Sequence, residues 1–542
     1  MVFHGRGSTG ALLVLVALAA ASCGKDRSAG APRRGGTAVV AIATDLEFPN
    51  SLVTGDKWTQ EVTRFVLFLP LIQYGPKLDY QPMLASSWEL QGDTAAVFHV
   101  RRDVHWTDGQ PTTAEDVLFT YQRAADPKTA FPNAEYFTYW TGAELLDPYT
   151  IRFHFKPHAD ALAGLPFLPI MPKHLLDSIP SERMRQAAFN QNPIGNGPFK
   201  LLEHRANDHW TFVPNPDFPR ALGGPPRLDR LVIRIVPEPQ AQLAALLSGE
   251  VDMTTSAGAK AYKDVDGRPG ILRLTRPTRQ VSFIVWNEKR PALRDPRVRH
   301  ALALAVDRRT ILDALRGGMG VLATGPIPPA HWAYDANLKP LPYAPDSARA
   351  LLLGLGYRDR NGDGFVEDPA GKPWEIALKV PASSSFNRNA AEMVQAQLAR
   401  VGVKSRVEST DARVFLADVT APERRFDAAF MVYESDFRIV YRDQFHSASV
   451  GKPFQLASYA NPAVDSIIDR APLTLDRRAA KPMWNRFQEI LLQDQPWTCL
   501  YYFPDLVLIR KDLQGTDMDV RGTLVDVTRW WKAPAGAAAT QN

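Results

Sequence analysis

Three observations along this chain of 542 residues predict an α/β fold. Apolar runs of strand length, such as 36–42 (GTAVVAI) and 281–287 (VSFIVWN), alternate with longer amphipathic segments of helical type, such as 237–253 (PEPQAQLAALLSGEVDM). Residues 88–123 repeat the alternation in miniature as strand, strand, turn and helix. With 45% hydrophobic residues the chain can bury a large core, and its length asks for several domains or one multi-lobed unit.

Residues 1–22 have the outline of a secretory signal peptide: Arg6 is a basic n-region, an apolar run extends from Ala11 to Ala21, and small residues precede Cys23. That run is far shorter than the roughly 20 residues of a membrane-spanning helix. Residues 23–34 are small, charged and proline-containing, and read as a tether. The chain's other cysteine, Cys499, sits in the apolar run WTCLYYF and reads as a buried thiol, so no disulfide scaffold is expected. A formal charge of +5 is dilute over this length, and no nucleic-acid partner is expected. Residues 36–42 form a buried strand. Asp45 lies just beyond its carboxyl end, where α/β sheets usually take ligands, and is a candidate binding residue. Residues 58–74 (WTQEVTRFVLFLPLIQY) read as a helix running into a turn at Pro70.

In the window 88–123, Ala96 to Val100 alternate as a strand, Val104 and Trp106 continue the two-residue period, and Asp108-Gly109 supplies a hairpin-type turn. Thr113 stands as a helix N-cap, with Glu115 and Asp116 in the first turn against the positive end of the dipole. A polar, aromatic-rich stretch continues to about residue 197, where Gly195 and Gly197 flank Asn196; a tight crossing at positive φ is expected there. The helix of 237–253 ends at Gly249. After the strand 281–287, residues 295–312 (DPRVRHALALAVDRRTIL) read as one helix with Val298, Leu302, Ala305 and Val306 on one face. Asp359, Asn361 and Asp363 have the oxygen spacing of a calcium loop, but Ala370 occupies the twelfth position where a glutamate is required. A structural turn is therefore expected, with no metal. Residues 376–402 give a strand, the serines Ser383, Ser384 and Ser385, and a helix whose N-terminus suits either a ligand carboxylate or plain caps. Residues 426–449 (FDAAFMVYESDFRIVYRDQFHSAS) are a buried strand entering a polar loop, and 477–494 form an amphipathic helix.

Pro82, Leu84, Ala85, Ser87, Trp88 and Glu89, followed by Phe98, Arg101, Val104, Trp106, Asp108, Gly109, Pro111 and Thr113 to Val117, make a long pattern. It resembles the signature of the family 5 solute-binding proteins, the extracytoplasmic receptors of peptide-type ABC importers. Further wording of that family recurs over roughly residues 35–530. The resemblance implies a two-lobed periplasmic-binding-protein fold (type II, cluster C-like) with an inserted third subdomain. Lobe I would take 35–75, 198–278 and 505–532, the insert 76–197 and lobe II 279–504, with 533–542 a flexible tail. It implies a monomer without cofactor that captures a small molecule, a short peptide, by hinge closure and hands it to separate ABC permease and ATPase subunits. Ala20-Ala21-Ser22-Cys23 resembles a lipobox with alanine in place of leucine, so the mature protein is expected to be held at the membrane, periplasmic or on the cell surface, by lipid on Cys23. Asp436 matches the acidic position that peptide-binding members use for a terminal ammonium, and the cleft is expected to include Tyr433, Trp286, Asn287 and the Ser383 to Ser385 loop. Tyr433 stands where the family has tryptophan and the usual proline is absent, which leaves oligosaccharides, opines, nickel chelates and haem as alternative ligands. Arg438 suits an anionic ligand or is a solvated loop charge.

Catalytic wording is absent. There is no G-x-S-x-G elbow or H-E-x-x-H, and His154 and His158 fall in a strand-like run interrupted by Pro157. A binding receptor is the expected class. A secreted hydrolase and a chaperone or chemosensory co-receptor on the same fold are the competing ones.

Overall fold

Residues 32–534, apart from Ser256 and Asp436, are described by the computed structural model. The signal segment, Cys23, most of the tether and the tail from 535 lie outside the described residues. Two large sheets carry the fold, their central strands apolar on both faces and edge strands such as Lys404–Thr410 and Phe199–Arg205 partly exposed. In the first, seven strands run in the order Ile271–Arg276, Asp505–Arg510, Met253–Thr254, Thr37–Ile42, Arg230–Ile235, His209–Pro214 and Phe199–Arg205. Thr37–Ile42 is parallel to both of its neighbours, which explains why it reads as a continuous apolar run: Val40 and Ile42 enter one core, Ala41 the other.

The second sheet has six strands in the order Val321–Leu322, Trp497–Tyr502, Gln280–Trp286, Ala428–Glu434, Glu375–Pro381 and Lys404–Thr410. Along Gln280–Trp286 the two-residue period sends Ile284 and Trp286 into one core and Val281, Phe283 and Val285 into the other. Cys499 is buried in this sheet, and burial pushes its thiol up to about 12. Between the strands Thr37–Ile42 and Phe199–Arg205 of the first sheet the chain builds the insert, a four-stranded sheet ordered Ala85–Gln91, Ala95–Val100, Thr150–Phe155 and Trp140–Asp147. The helix Ala114–Ala125 packs on it through Val117 and Tyr121, and begins with the expected cap. The Thr113 hydroxyl accepts a backbone N–H while Asp116 accepts the Thr113 N–H at 2.9 Å.

The chain passes between the two large sheets twice, at 277–279 and 503–504. The passages are tied to each other, since the Thr278 hydroxyl donates to the Phe503 carbonyl. Two short adjacent crossings that run in opposite directions make a hinge.

Four local expectations need correction. The segment 58–74 is helical only over Lys57–Val62. It widens into a π-turn at Thr63–Leu67 and is extended by Phe68, because the Leu67 carbonyl is taken by the Gly197 N–H at 2.8 Å. Neither Gly195 nor Gly197 has a left-handed φ. Glycine is needed there because a Cβ at Gly195 would stand 2.1 Å from the Leu67 oxygen. Residues 295–312 are two helices, Pro296–Leu304 and Arg308–Arg316. Asp307 ends the first and caps the second, its carboxylate accepting from Thr310 N and its own N–H donating to Gln397. Val104 and Trp106 contribute only a turn, closed by the single bridge His105 to Pro111.

Candidate functional site: a cavity between the two sheets

A cavity of about 700 Å3 opens where the hinge, the insert and both lobes meet. Its first-lobe side is polar. The helix Lys57–Val62, capped by Asp56, presents Lys57, Gln60 and Glu61. Glu61 is buried and accepts the N–H groups of Thr523 and Leu524 at 2.7 and 2.9 Å, which orders residues 520–522 along the cavity edge. Lys57 pairs with Asp505 at 2.9 Å, and Arg276 pairs with the same carboxylate. Burial would raise Asp505, but Arg276 and Lys57 outweigh it and hold the carboxyl below its usual range. Arg279, in the hinge itself, joins the lobes. It donates to Ser435 O at 2.7 Å and Val520 O at 3.2 Å, meets Glu434 at 3.1 Å, and lies 3.7 Å over the Phe437 ring.

The second-lobe side is apolar and aromatic. Leu416, Val432 and Phe454, respectively 56%, 44% and 63% exposed, border the cavity together with Tyr433 and Trp497, whose rings meet edge to face at 5.5 Å. Burial pushes the Tyr433 hydroxyl well above its ordinary range, and the Glu135 charge adds to this. Met431 to Ser435 all line the cavity, one after another. The strand Ala428–Glu434 pairs along its whole length with Gln280–Trp286, but its pairing with Glu375–Pro381 covers only Ala428 and Ala429. From Met431 onward it therefore has a sheet neighbour on one side only. A larger recess, about 1080 Å3, is lined by Arg64, Phe218, Arg227, Arg521 and Trp531 among others, and by no residue of 279–504, so it does not lie between the lobes.

The family model described as "Bacterial extracellular solute-binding proteins, family 5 Middle" matches residues 79–438. The chain belongs to this family. Among its curated relatives is the oligopeptide-binding protein AppA of Bacillus subtilis, 28% identical over 94% of this chain and 93% of that one. The solved structure of that AppA with a nonapeptide superposes with a TM-score of 0.81 at 26% identity, over 93% of this chain and all of that one. NikZ of Campylobacter jejuni, solved with Ni(L-His), superposes with a TM-score of 0.79 at 25% identity, over 92% of this chain and 99% of that one.

In this family 5 protein the residues expected to form the site are dispersed. Tyr433 lines the cavity, and Asp436 lies outside the described residues. Trp286 does not line it. The side chain is fully buried and donates to Thr498 at 2.8 Å, and of its strand Gln280–Trp286 only Phe283 lines the cavity. Asn287 is also fully buried, donating to the carbonyls of Arg424 and Phe426, so its polar atoms serve the core. Ser384 caps the helix Ser385–Arg400 by accepting from Asn387 N, and neither it nor Ser383 or Ser385 reaches the cavity. Asp45 pins its own lobe, accepting from Trp210 Nε1 at 2.8 Å and Asn207 N at 2.7 Å. Arg438 is buried against the Tyr136 ring and lines a neighbouring side cavity. Asp359, Asn361 and Asp363 spend their oxygens on the amides of their own loop, as a turn does. Arg279, Glu61 and Glu135 were not singled out from sequence.

Proposed function

We propose that this family 5 protein binds short peptides in the cavity between its lobes, closes on them, and passes them unchanged to separate ABC permease and ATPase subunits. One observation carries the ligand class. Successive side chains of a strand point to opposite faces, so a run of five consecutive lining residues from Met431 means that the strand borders the cavity by its edge. A half-unpaired strand edge offers main-chain donors and acceptors to an extended peptide, the recognition mode of β-strand addition. The exposed Leu416, Val432 and Phe454 then suit its apolar side chains, and Asp436 its terminal ammonium, since a charge taken from water must be paired. The nonapeptide bound to the similar AppA supports the same reading. In it the two large sheets are the lobes and the 85–155 sheet the inserted subdomain.

Native mass spectrometry of freshly purified protein is expected to show a co-purified peptide, recovered intact after prolonged incubation. A co-purified sugar or metal chelate, or a hydrolysed peptide, would refute the proposal. We further place the mature protein at the membrane through lipid on Cys23, so metabolic labelling with palmitate should mark the wild type and not Cys23→Ser.

A further inference from the structure

Next to the main cavity lies a second one of about 260 Å3, between the insert and the second lobe. It is smaller than the roughly 300–1,000 Å3 of whole-ligand sites and matches a single side chain. The two share three wall residues, Glu135, Val440 and Asp443, so these form the neck between them. Behind the neck the walls are aromatic, with Tyr139, Trp332, Tyr441 and Trp484.

Among the described residues neither Glu135 nor Asp443 has an ion pair or a side-chain hydrogen bond. Of the basic side chains of the side cavity, Arg442 pairs with Asp469, while Arg438 donates to the Tyr136 carbonyl at 3.4 Å, lies 4.4 Å over the Tyr136 ring and offsets only part of the Glu135 charge. Glu135 faces the solvent of the cavity yet has protein around most of its carboxyl. That desolvation raises its pKa, Arg438 lowers it in part, and the Asp443 charge raises it again. Tyr136, 2% exposed in the wall beside Glu135, has a hydroxyl with no partner among the described residues. Two like charges left unpaired beside an unsatisfied polar atom favour an incoming cation, and aromatic faces attract one as well.

We infer that Glu135 and Asp443 hold a cationic side chain of the bound ligand, an ammonium or guanidinium on an aliphatic stem, at the neck of the aromatic side cavity. The inference rests on reading the main cavity as the ligand site. It makes these two carboxylates selectors of basic peptides, separate from any anchor for the terminal ammonium.

The test presents wild type, Asp443→Asn and Glu135→Gln/Asp443→Asn with N-acetylated tetrapeptide pools carrying lysine, arginine, norleucine or glutamate at one position, with retention read by native mass spectrometry. Melting temperatures equal to wild type certify the fold of each variant, and the single variant serves if the double one melts early. Wild type should retain the lysine and arginine peptides about ten- to a hundredfold over norleucine, the value of a charged hydrogen bond or two, and the variants should lose that preference. Equal retention of norleucine by wild type overturns the inference and leaves peptide binding standing. So does a preference that appears only in non-acetylated pools, which assigns the carboxylates to the terminal ammonium. If no peptide is retained at all, peptide binding fails, and 1-butylguanidine decides the cation site. A melting shift in wild type that the variants lack upholds it, and no shift overturns it.

Discussion

His331 shows how one side chain ties the candidate site to the core. Its Nε2–H donates to the Phe437 carbonyl at 2.8 Å and its Nδ1 accepts from Ala333 N at 3.1 Å, which requires the neutral ring. Burial is the main cause that pushes its pKa down to about 4, against a usual 6.5. Between those values the unfolded chain takes up a proton that the folded protein refuses. The stability from His331 is therefore complete above pH 6.5 and is lost as pH falls toward 4, by about 3 kcal/mol in total. Urea midpoints measured from pH 7.5 to 4 should fall more steeply for wild type than for His331→Gln; parallel curves would refute the neutral assignment. The same carbonyl belongs to the loop that follows the cavity's edge strand, so acid should loosen that loop first.

At the scale of elements, residues 195–197 cross the π-turn Thr63–Leu67 just before the strand Phe199–Arg205 enters the first sheet. Asn196 is buried: its oxygen accepts from Leu69 N at 2.9 Å and its Nδ2 donates to the Thr112 hydroxyl at 3.4 Å, while Gly197 N donates to Leu67 O. An added Cβ at Gly195 or Gly197 would meet Leu67 backbone at 2.1 or 2.6 Å, and backbone cannot swing away as a side chain can. Gly197→Ala should cost about 3 kcal/mol or more, read as early melting or loss of soluble protein. Gly142→Ala, in a strand with nothing near its Cβ, should lie within about 1 kcal/mol of wild type. Capping was legible because it is local: Thr113 and Asp116 in the signature, and Gly249 after the helix Pro239–Ser248, act on neighbours a few residues away. The split of 295–312 at Asp307 was not, since the N–H of Asp307 is taken by Gln397, ninety positions along.

For the whole molecule, the passages 277–279 and 503–504 are the only chain links between the two large sheets among the described residues. Two adjacent links permit rotation of one lobe on the other, with Arg279 at the pivot. Peptide binding should therefore shrink the radius of gyration toward about 23 Å, the value for a compact chain of this size. Solution scattering with and without bound peptide measures this. An unchanged radius would argue for a rigid site.

Local patterning determined the α/β class, most element types, the caps and the calcium-like turn, because propensity, periodicity and turn chemistry act within a few residues. The fixed wording of 82–117 was enough to assign the family. The site was decided by tertiary structure alone. Trp286 and Asn287 look like cleft residues at a strand end, yet the pairing order of six strands buries both, and of that strand only Phe283 lines the cavity. Glu135 and Asp443 meet across some three hundred positions only because the insert folds back onto the second lobe, and no pattern in a one-dimensional chain records which distant carboxylates will be left without a partner.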